Sequence, residues 1–340
     1  MISFVWSSLL PLTPGTGGSE NYTIGHIREL QRRGIPVRVI TLGFGKEDGR
    51  KELPDIDFVD LKHESELSEL DDTIIFVSEP LNIPTRNQSY TILHCPPGDV
   101  RLKRTFLSSE TRESQPIVTS HHAAQVWSKV LDIPAGNIPV VYPFASPEFS
   151  KEKHTKAKKT RVLFAGRITP DKGVYTLLWA LHSDKIDFNK FEFRATNAGK
   201  AHPNSRMLMP MLEAHPHIEL IEAKKTPQAM AKLYARTDIV VMPSSFLWWD
   251  EMFGIVSVEA QHAGCRVVAS NGGGIPETDC GGLILIEPDN PKELEAGILK
   301  AAKLGRMTEE ARKKATEQFT LSDSVDKLLE VINYDTHSEV

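Results

Sequence analysis

Phe246-Leu-Trp-Trp-Asp-Glu-Met-Phe-Gly-Ile-Val-Ser-Val-Glu259 carries two carboxylates, Glu251 and Glu259, with seven residues between them. It follows Asp238-Ile-Val-Val-Met-Pro-Ser-Ser245, a short apolar run closed by proline and serine, which reads as a buried parallel strand and then a loop. Glu251 is therefore expected just beyond the carboxyl end of a strand. From Gly254 to Ala263 the spacing turns helical, with Gly264 as the stop. Ile255, Val256, Ala260 and Ala263 are expected to form the apolar face, with Glu259 in the middle of it.

Burying an ionised carboxylate without donors costs several kcal/mol. A core arginine could pair with Glu259, or the hydroxyls of a ligand could serve it. Glu251 favours the ligand, because it precedes a helix start where the amides of Gly254, Ile255 and Val256 form an anion site suited to a phosphate. Glu259 lies about 7.5 Å further along that helix, at a rise of 1.5 Å per residue. The set could span a nucleotide diphosphate sugar.

The 340 residues are enough for about two domains. With 40% hydrophobic and 25% charged residues the composition is that of a soluble globular protein. The first 150 residues hold 14 Lys and Arg against 19 Asp and Glu, so the formal charge of -5 is confined to them. Nucleic acid is not an expected partner, and broad docking on an anionic membrane is not expected either. Arg101, Lys103 and Arg104 form a small basic cluster, read as a solvated helix face. Three cysteines, Cys95, Cys265 and Cys280, without CxxC spacing suggest neither a zinc site nor a disulfide framework. A reducing, cytoplasmic location is expected. Met1-Ile-Ser-Phe-Val-Trp6 lacks a basic leader and reads as a first strand rather than a signal peptide, and no apolar run is long enough to span a membrane.

Along the chain, strands at 2–6 and 37–42 flank a helix opened by Ser19-Glu20, in which Ile24, Ile27 and Leu30 form the inner face. The turn before that helix holds Gly15-Thr-Gly-Gly-Ser19, where Gly17 and Gly18 would let backbone amides approach a phosphate. It is not the GxGxxG dinucleotide fingerprint. Further strands are expected at 57–60, 73–77, 90–94 and 117–120. Asp55-Ile-Asp57 reads as solvated edge residues, and His121-His122 as polar residues at a helix start. His94 ends its strand at the carboxyl edge, which faces the ligand crevice in a doubly wound sheet. Residues 144–160 have linker composition. Arg161-Val-Leu-Phe-Ala-Gly-Arg-Ile-Thr-Pro-Asp-Lys-Gly173 then places Arg167 and Lys172 on one strand-to-helix loop after Gly166. Two cations there would neutralise charge growing on a leaving diphosphate. Strands at 191–196, 218–221, 266–269 and 282–286 and helices at 227–235, from Pro291 and from Leu321 complete a second α/β unit.

Glu251-x7-Glu259 with Phe253-Gly254 inside it, then Ala260, Gly264, Asn271-Gly-Gly-Gly-Ile-Pro-Glu277 and the upstream Gly-Arg-x4-Lys-Gly, resembles the signature of the family 4 retaining glycosyltransferases. These belong to the glycogen synthase and phosphatidylinositol mannosyltransferase-like superfamily. The resemblance covers essentially the whole chain and is strongest from Arg161 to Thr278. It implies a GT-B fold: two doubly wound Rossmann-like domains facing each other across a cleft. The first, acceptor-side domain would be residues 1–145, with the last helix (about 321–340, centred on Val325 to Tyr334) crossing back onto it. The second, donor-side domain would be residues 160–320. The implied reaction is retaining, metal-independent transfer of a hexose from a UDP- or GDP-sugar to a small-molecule, glycan or lipid-linked acceptor, the soluble kinds slightly favoured, with no cofactor.

By the same resemblance Arg167 and Lys172 stabilise the diphosphate, Glu251 holds sugar hydroxyls, Glu259 the ribose, and His94 the sugar. Gly17, Gly18, Gly166, Phe253, Gly254, Ile255 and Val256 belong to the donor-binding set, Gly17 and Gly18 with the option of lining the acceptor side. The chain departs from the family at Asn197-Ala-Gly-Lys200, at Met252 and at Trp248-Trp249-Asp250, which leaves the reaction class standing and weakens any inference about base or sugar. A GT-B sugar nucleotide epimerase would need acid and base carboxylates, for which Glu79 and Asp99 are the candidates. A non-catalytic sugar nucleotide binding subunit is the other alternative.

Overall fold

The computed structural model describes residues 1–6, 8, 10–15, 17–81, 83–97, 114–199, 202–247 and 249–334. Arg101, Lys103, Arg104, Asp99, Lys200 and Trp248 lie outside the described residues. The chain divides into two compact units, Met1–Phe144 with the chain from Leu321 onward, and Ala145–Thr320.

The first unit is built from β1 (Ile2–Trp6), α1 (Gly18–Arg32), β2 (Val37–Leu42), β3 (Phe58–Leu61), β4 (Thr73–Val77), β5 (Tyr90–Leu93), β6 (Gln115–Val118) and α2 (His121–Leu131). Its strands pair in the order β3-β2-β1-β4-β5-β6, all parallel. This is a doubly wound sheet whose winding reverses between β1 and β4. Both faces of such a sheet are covered, so its strands are apolar runs rather than alternations, and every residue of β1 is buried. Ile24, Ile27 and Leu30 pack α1 inward as their spacing predicts. Ser120 caps α2 by accepting from the Ala123 amide at 2.9 Å, and His121-His122 open that helix. Asp55 and Asp57 are exposed, as expected, and Asp55 pairs on the surface with Arg28 at 2.6 and 2.9 Å.

The second unit repeats the plan. Its elements are α3 (Glu148–Lys151), β7 (Thr160–Phe164), α4 (Val174–Ala180), β8 (Phe191–Thr196), α5 (Ser205–Ala214), β9 (Ile218–Ile221), α6 (Pro227–Tyr234), β10 (Ile239–Met242), α7 (Ile255–His262), β11 (Arg266–Ser270), β12 (Leu283–Ile286), α8 (Pro291–Leu304) and α9 (Glu309–Thr316). The sheet order is β12-β11-β10-β7-β8-β9, again all parallel, with the reversal between β7 and β10. α3, α5 and α9 are absent from the sequence reading; α3 lies in the stretch read as linker and buries Phe149. α5 carries Pro210 inside it, which argues against a helix on pattern alone. α9 buries only Ala315, so it has no apolar stripe to detect.

α10 (Leu321–Val331) returns to the first unit. Val325, Leu328 and Leu329 join that unit's core, Ser324 Oγ donates to the Tyr142 carbonyl at 2.6 Å, and Arg33 pairs with Asp326. No described helix is long and apolar enough to cross a membrane.

One carboxylate ties together the bottom of the second sheet. Asp238 accepts from the Arg161 amide at 2.8 Å and from Arg161 Nε at 3.2 Å, and meets His154 Nε2 at 2.8 Å. Burial alone would raise its pKa, but the Arg161 and His154 contacts outweigh burial and hold it below the ordinary 3.8. Arg161 is only 6% exposed, so removing its partner strands a buried charge. Asp238→Ala is expected to destabilise the protein by about 3–5 kcal/mol at neutral pH in chemical denaturation. A depressed folded pKa contributes stability above the ordinary carboxylate value that is lost as pH falls, so the gap between variant and wild type should close below pH 3.8. A gap constant through that window would contradict the assignment.

Candidate active site

In a doubly wound sheet, loops leaving the carboxyl ends of the strands at the winding reversal splay to opposite faces and leave a crevice. In the second unit those are the loops after β7 and β10, and the sequence puts Gly166, Arg167 and Lys172 on one and Glu251 on the other. The two loops touch through their backbones. The Ser245 amide donates to the Asp171 carbonyl at 2.9 Å. Gly173, in the left-handed region at φ 74°, lies so close to Pro243 that a Cβ there would come within 1.6 Å of its carbonyl oxygen, a position only glycine can hold.

This contact brings the charged side chains together. Lys172 Nζ lies 2.5 Å from Glu251 Oε2, with both side chains less than a fifth exposed. Arg167 and Lys172 approach the same carboxylate oxygen, Asp171 Oδ2, at 3.8 and 4.0 Å. The two cations on this loop thus share one carboxylate oxygen as a neighbour. Asp171 was absent from the sequence assignment, although its spacing of four from Arg167 and its place beside Lys172 were available signals. Gly166 packs on the Lys172 side chain, where a Cβ would lie 3.5 Å from Lys172 Cβ.

The loop after β11 braces Glu251 from the other side. The Gly274 amide donates to the Glu251 carbonyl at 2.7 Å, and at Gly273 and Gly274 a Cβ would come within 2.3 Å of the Glu251 and Met252 carbonyl oxygens. Phe253 is 4% exposed, and its ring sits 5.4 Å from Phe319. It anchors the turn, leaving its backbone to the crevice. Gly254 follows at φ 95° and starts α7 with no side-chain cap, so the first amides of that helix, at Ile255 and Val256, are directed out of its N-terminus.

The buried side of α7 matches the expected apolar face only in part: Ala260 and Ala263 are buried, Ile255 and Val256 are not. Ser257, Val258, Ala260 and Gln261 face the interior, while Ile255, Val256 and Glu259 lie on the partly open side. Ser257 and Gln261 are buried because residues far along the chain satisfy them. Gln261 Nε2 donates to the Thr278 carbonyl at 2.8 Å, its Oε1 accepts from the Cys280 and Gly282 amides at 2.8 and 2.9 Å, and Thr278 Oγ1 donates to Ser257 at 2.8 Å. Among the described residues Glu259 has no arginine partner. Its residue keeps some open surface, yet burial around the carboxyl pushes its pKa up to about 8, with the Tyr234 phenol acting in the opposite sense. Tyr234 Oη makes no hydrogen bond of good geometry, so it acts on Glu259 as a nearby dipole.

Gly17, Gly18 and His94 lie in the first unit. Gly17 caps α1 in an extended conformation at φ -168°, and Gly18 has open space around it, so neither position requires glycine. A Cβ on Gly17 would lie 2.5 Å from Glu20 Oε2; a carboxylate therefore already stands over this helix start, and hydroxyls suit it better than a phosphate. His94 follows β5. Burial, with His26 nearby, lowers its pKa to about 3, its Nε2 has no hydrogen-bond partner among the described residues, and the Tyr22 ring meets it edge-on at 4.9 Å. Leu93 pairs with Val118 across β5 and β6, which puts Thr119, whose buried hydroxyl also lacks a partner, beside His94. Tyr22 and Thr119 were not anticipated, since nothing local in sequence links them to His94. Among the described residues no group of three His, Cys, Asp or Glu could hold a metal ion.

Residues 146–318 match the family described as glycosyl transferases group 1. A D-inositol 3-phosphate glycosyltransferase of Corynebacterium kroppenstedtii is 32% identical over 143 residues, which are 39% of this chain and 31% of that protein. A lipopolysaccharide 1,2-N-acetylglucosaminetransferase of Salmonella typhimurium is 32% identical over 124 residues, 35% of this chain and 32% of that protein. The chain thus spans about a third of the length of these curated relatives. Among solved structures, a glycosyltransferase from Rickettsia africae superposes with a TM-score of 0.74 at 20% identity, covering 98% of this chain and 97% of that one. Anabaena HepE, solved in complex with UDP, gives 0.69 at 17%, covering 98% and 100%. At these identities the likeness speaks for the fold, which is GT-B: two parallel six-stranded sheets with flanking helices.

The raised pKa of Glu259 generates a stability test. The unfolded chain ionises this carboxyl near 4.5, whereas the folded protein keeps its proton until about pH 8. A raised folded pKa gives stability that is present below the unfolded value and lost as pH rises through the folded one. Glu259→Gln removes the titration, so its melting temperature should gain on wild type between pH 4.5 and about 8 and level off above. A difference independent of pH would show that Glu259 ionises normally.

Proposed function

We propose, because this chain belongs to the glycosyl transferases group 1 family, that it is a retaining glycosyltransferase moving a hexose from a nucleotide diphosphate sugar to an acceptor without a metal ion or cofactor. The observation that carries the donor site is the convergence of Arg167 and Lys172 on one anionic oxygen beside the uncapped start of α7. A diphosphate placed there would meet two cations and the amides of Gly254, Ile255 and Val256, the combination that favours charge growing on a leaving group.

In this reading the bond between the anomeric carbon and the diphosphate oxygen breaks as the acceptor oxygen bonds to that carbon. The departing phosphate takes the acceptor's proton on the same face, so no carboxylate nucleophile is assigned. Glu251, charge-paired with Lys172, would take sugar hydroxyls, and Glu259 the ribose. Hydroxyl donors from the ribose would ease ionisation of Glu259. The first unit is assigned to the acceptor; there the unpartnered His94 Nε2 would meet a substrate hydroxyl. A soluble small molecule or glycan is preferred over a lipid-linked acceptor. UDP comes first among the nucleotides, since a structural neighbour was solved with it, and GDP second.

A thermal-shift panel of UDP, GDP, ADP and TDP and their common sugars, with and without EDTA, tests this on wild type and Glu259→Ala. Selective stabilisation by one nucleotide, unchanged by EDTA and lost in the variant, is the expected result. Lys172→Ala should lower kcat with the matching donor by about 100-fold or more. No shift from any nucleotide would sink the donor-site assignment.

A further inference from the structure

The loop from Phe246 to Met252 is held without using one of its largest side chains. The Phe246 ring lies over the glycines that follow β11, where a Cβ on Gly272 would come within 2.6 Å of it. Asp250 Oδ1 lies 3.1 Å from the Cβ position of Gly273, and the Glu251 carbonyl accepts from the Gly274 amide at 2.7 Å. Trp249 sits between these fixed points. It is 39% exposed and makes no ring contact or hydrogen bond with any other described residue. Its neighbour but one is Glu251, whose carboxylate is fixed by Lys172 at 2.5 Å.

Leaving an indole exposed forgoes the burial that usually stabilises the side chain. The indole stands two residues from Glu251, whose own position is set by Lys172 and the Gly274 amide. A pyranose has complementary chemistry: a face of C–H bonds that stacks on an aromatic ring, and a rim of hydroxyls that donate to carboxylate oxygens. A phosphate or a nucleobase would not need both. We propose that Trp249 is the stacking platform for the apolar face of the transferred pyranose while Glu251 takes the hydroxyls of the same ring. The inference rests on the donor-site reading above and extends it from the diphosphate to the sugar. It makes Trp249 a determinant of sugar recognition, with no part in binding the nucleotide.

The test is calorimetric titration of wild type, Trp249→Ala and Trp249→Phe with UDP and UDP-glucose, and with GDP and GDP-mannose. For the base that binds, Trp249→Ala should weaken the sugar nucleotide by about 3- to 10-fold while leaving the diphosphate unchanged, and Trp249→Phe should stay within about 2-fold of wild type. Unchanged diphosphate binding also reports that the loop and site remain folded. An equal loss of diphosphate and sugar nucleotide, or no loss of either, would overturn the platform. Failure of wild type to bind any diphosphate is a different result, which would remove the donor-site reading and this inference with it.

Discussion

The Ser245 amide donates to the Asp171 carbonyl, and Gly173 lies against the Pro243 carbonyl; through these contacts the loops after β7 and β10 act as one surface. The two strands are neighbours at the point where the winding reverses, so α4 and α7 leave to opposite faces and would otherwise carry their loops apart. A single residue without a Cβ permits the approach. Lys172 is next to that residue in sequence, and Glu251 is braced on the far side by the glycines after β11. The 2.5 Å pair between them is therefore set by backbone packing rather than by the attraction of two flexible chains, which alone gives little at a surface.

The charges in this surface balance: Arg167 and Lys172 against Asp171 and Glu251. A site with two uncompensated cations would repel itself and lose stability, whereas this arrangement gives both cations a carboxylate oxygen within 4.0 Å. In the proposed donor site an incoming diphosphate would bring more negative charge than either carboxylate and would engage the helix amides as well, so it would compete for the same cations from a favourable position. That exchange would also free Glu251 for neutral hydroxyl donors. Stability without ligand and affinity for one thereby draw on the same two side chains.

Much of this was legible in the sequence. Both doubly wound sheets could be read from buried parallel strands, because runs such as Ile239-Val-Val-Met242 have no alternation and break at proline and serine. The positions of Gly166, Arg167, Lys172, Glu251 and Gly254 at strand ends and at a helix start follow from the same reading. What could not be read was contact between residues distant in the chain. The burial of Ser257 and Gln261 depends on Thr278, Cys280 and Gly282, so of the expected apolar face of α7 only Ala260 and Ala263 are buried. Asp171 as the shared partner of two cations needed the fold of its loop, and Thr119 beside His94 needed the register of β5 on β6.

Two sheets of identical topology nevertheless carry opposite chemistry at their winding reversals. In the second unit the helix start at Gly254 is uncapped and two cations stand near it, which suits an anion. In the first unit Glu20 stands over the start of α1, and His94 and His26 are held neutral by burial, with pKa values lowered to about 3 and about 4. A phosphate there would meet the like charge of Glu20, while a neutral polyol would find hydrogen-bonding groups without desolvating an ion. The fold supplies the same sheet reversal twice, and under the proposed function the side chains at each helix start would suit one to a charged donor and the other to a neutral acceptor.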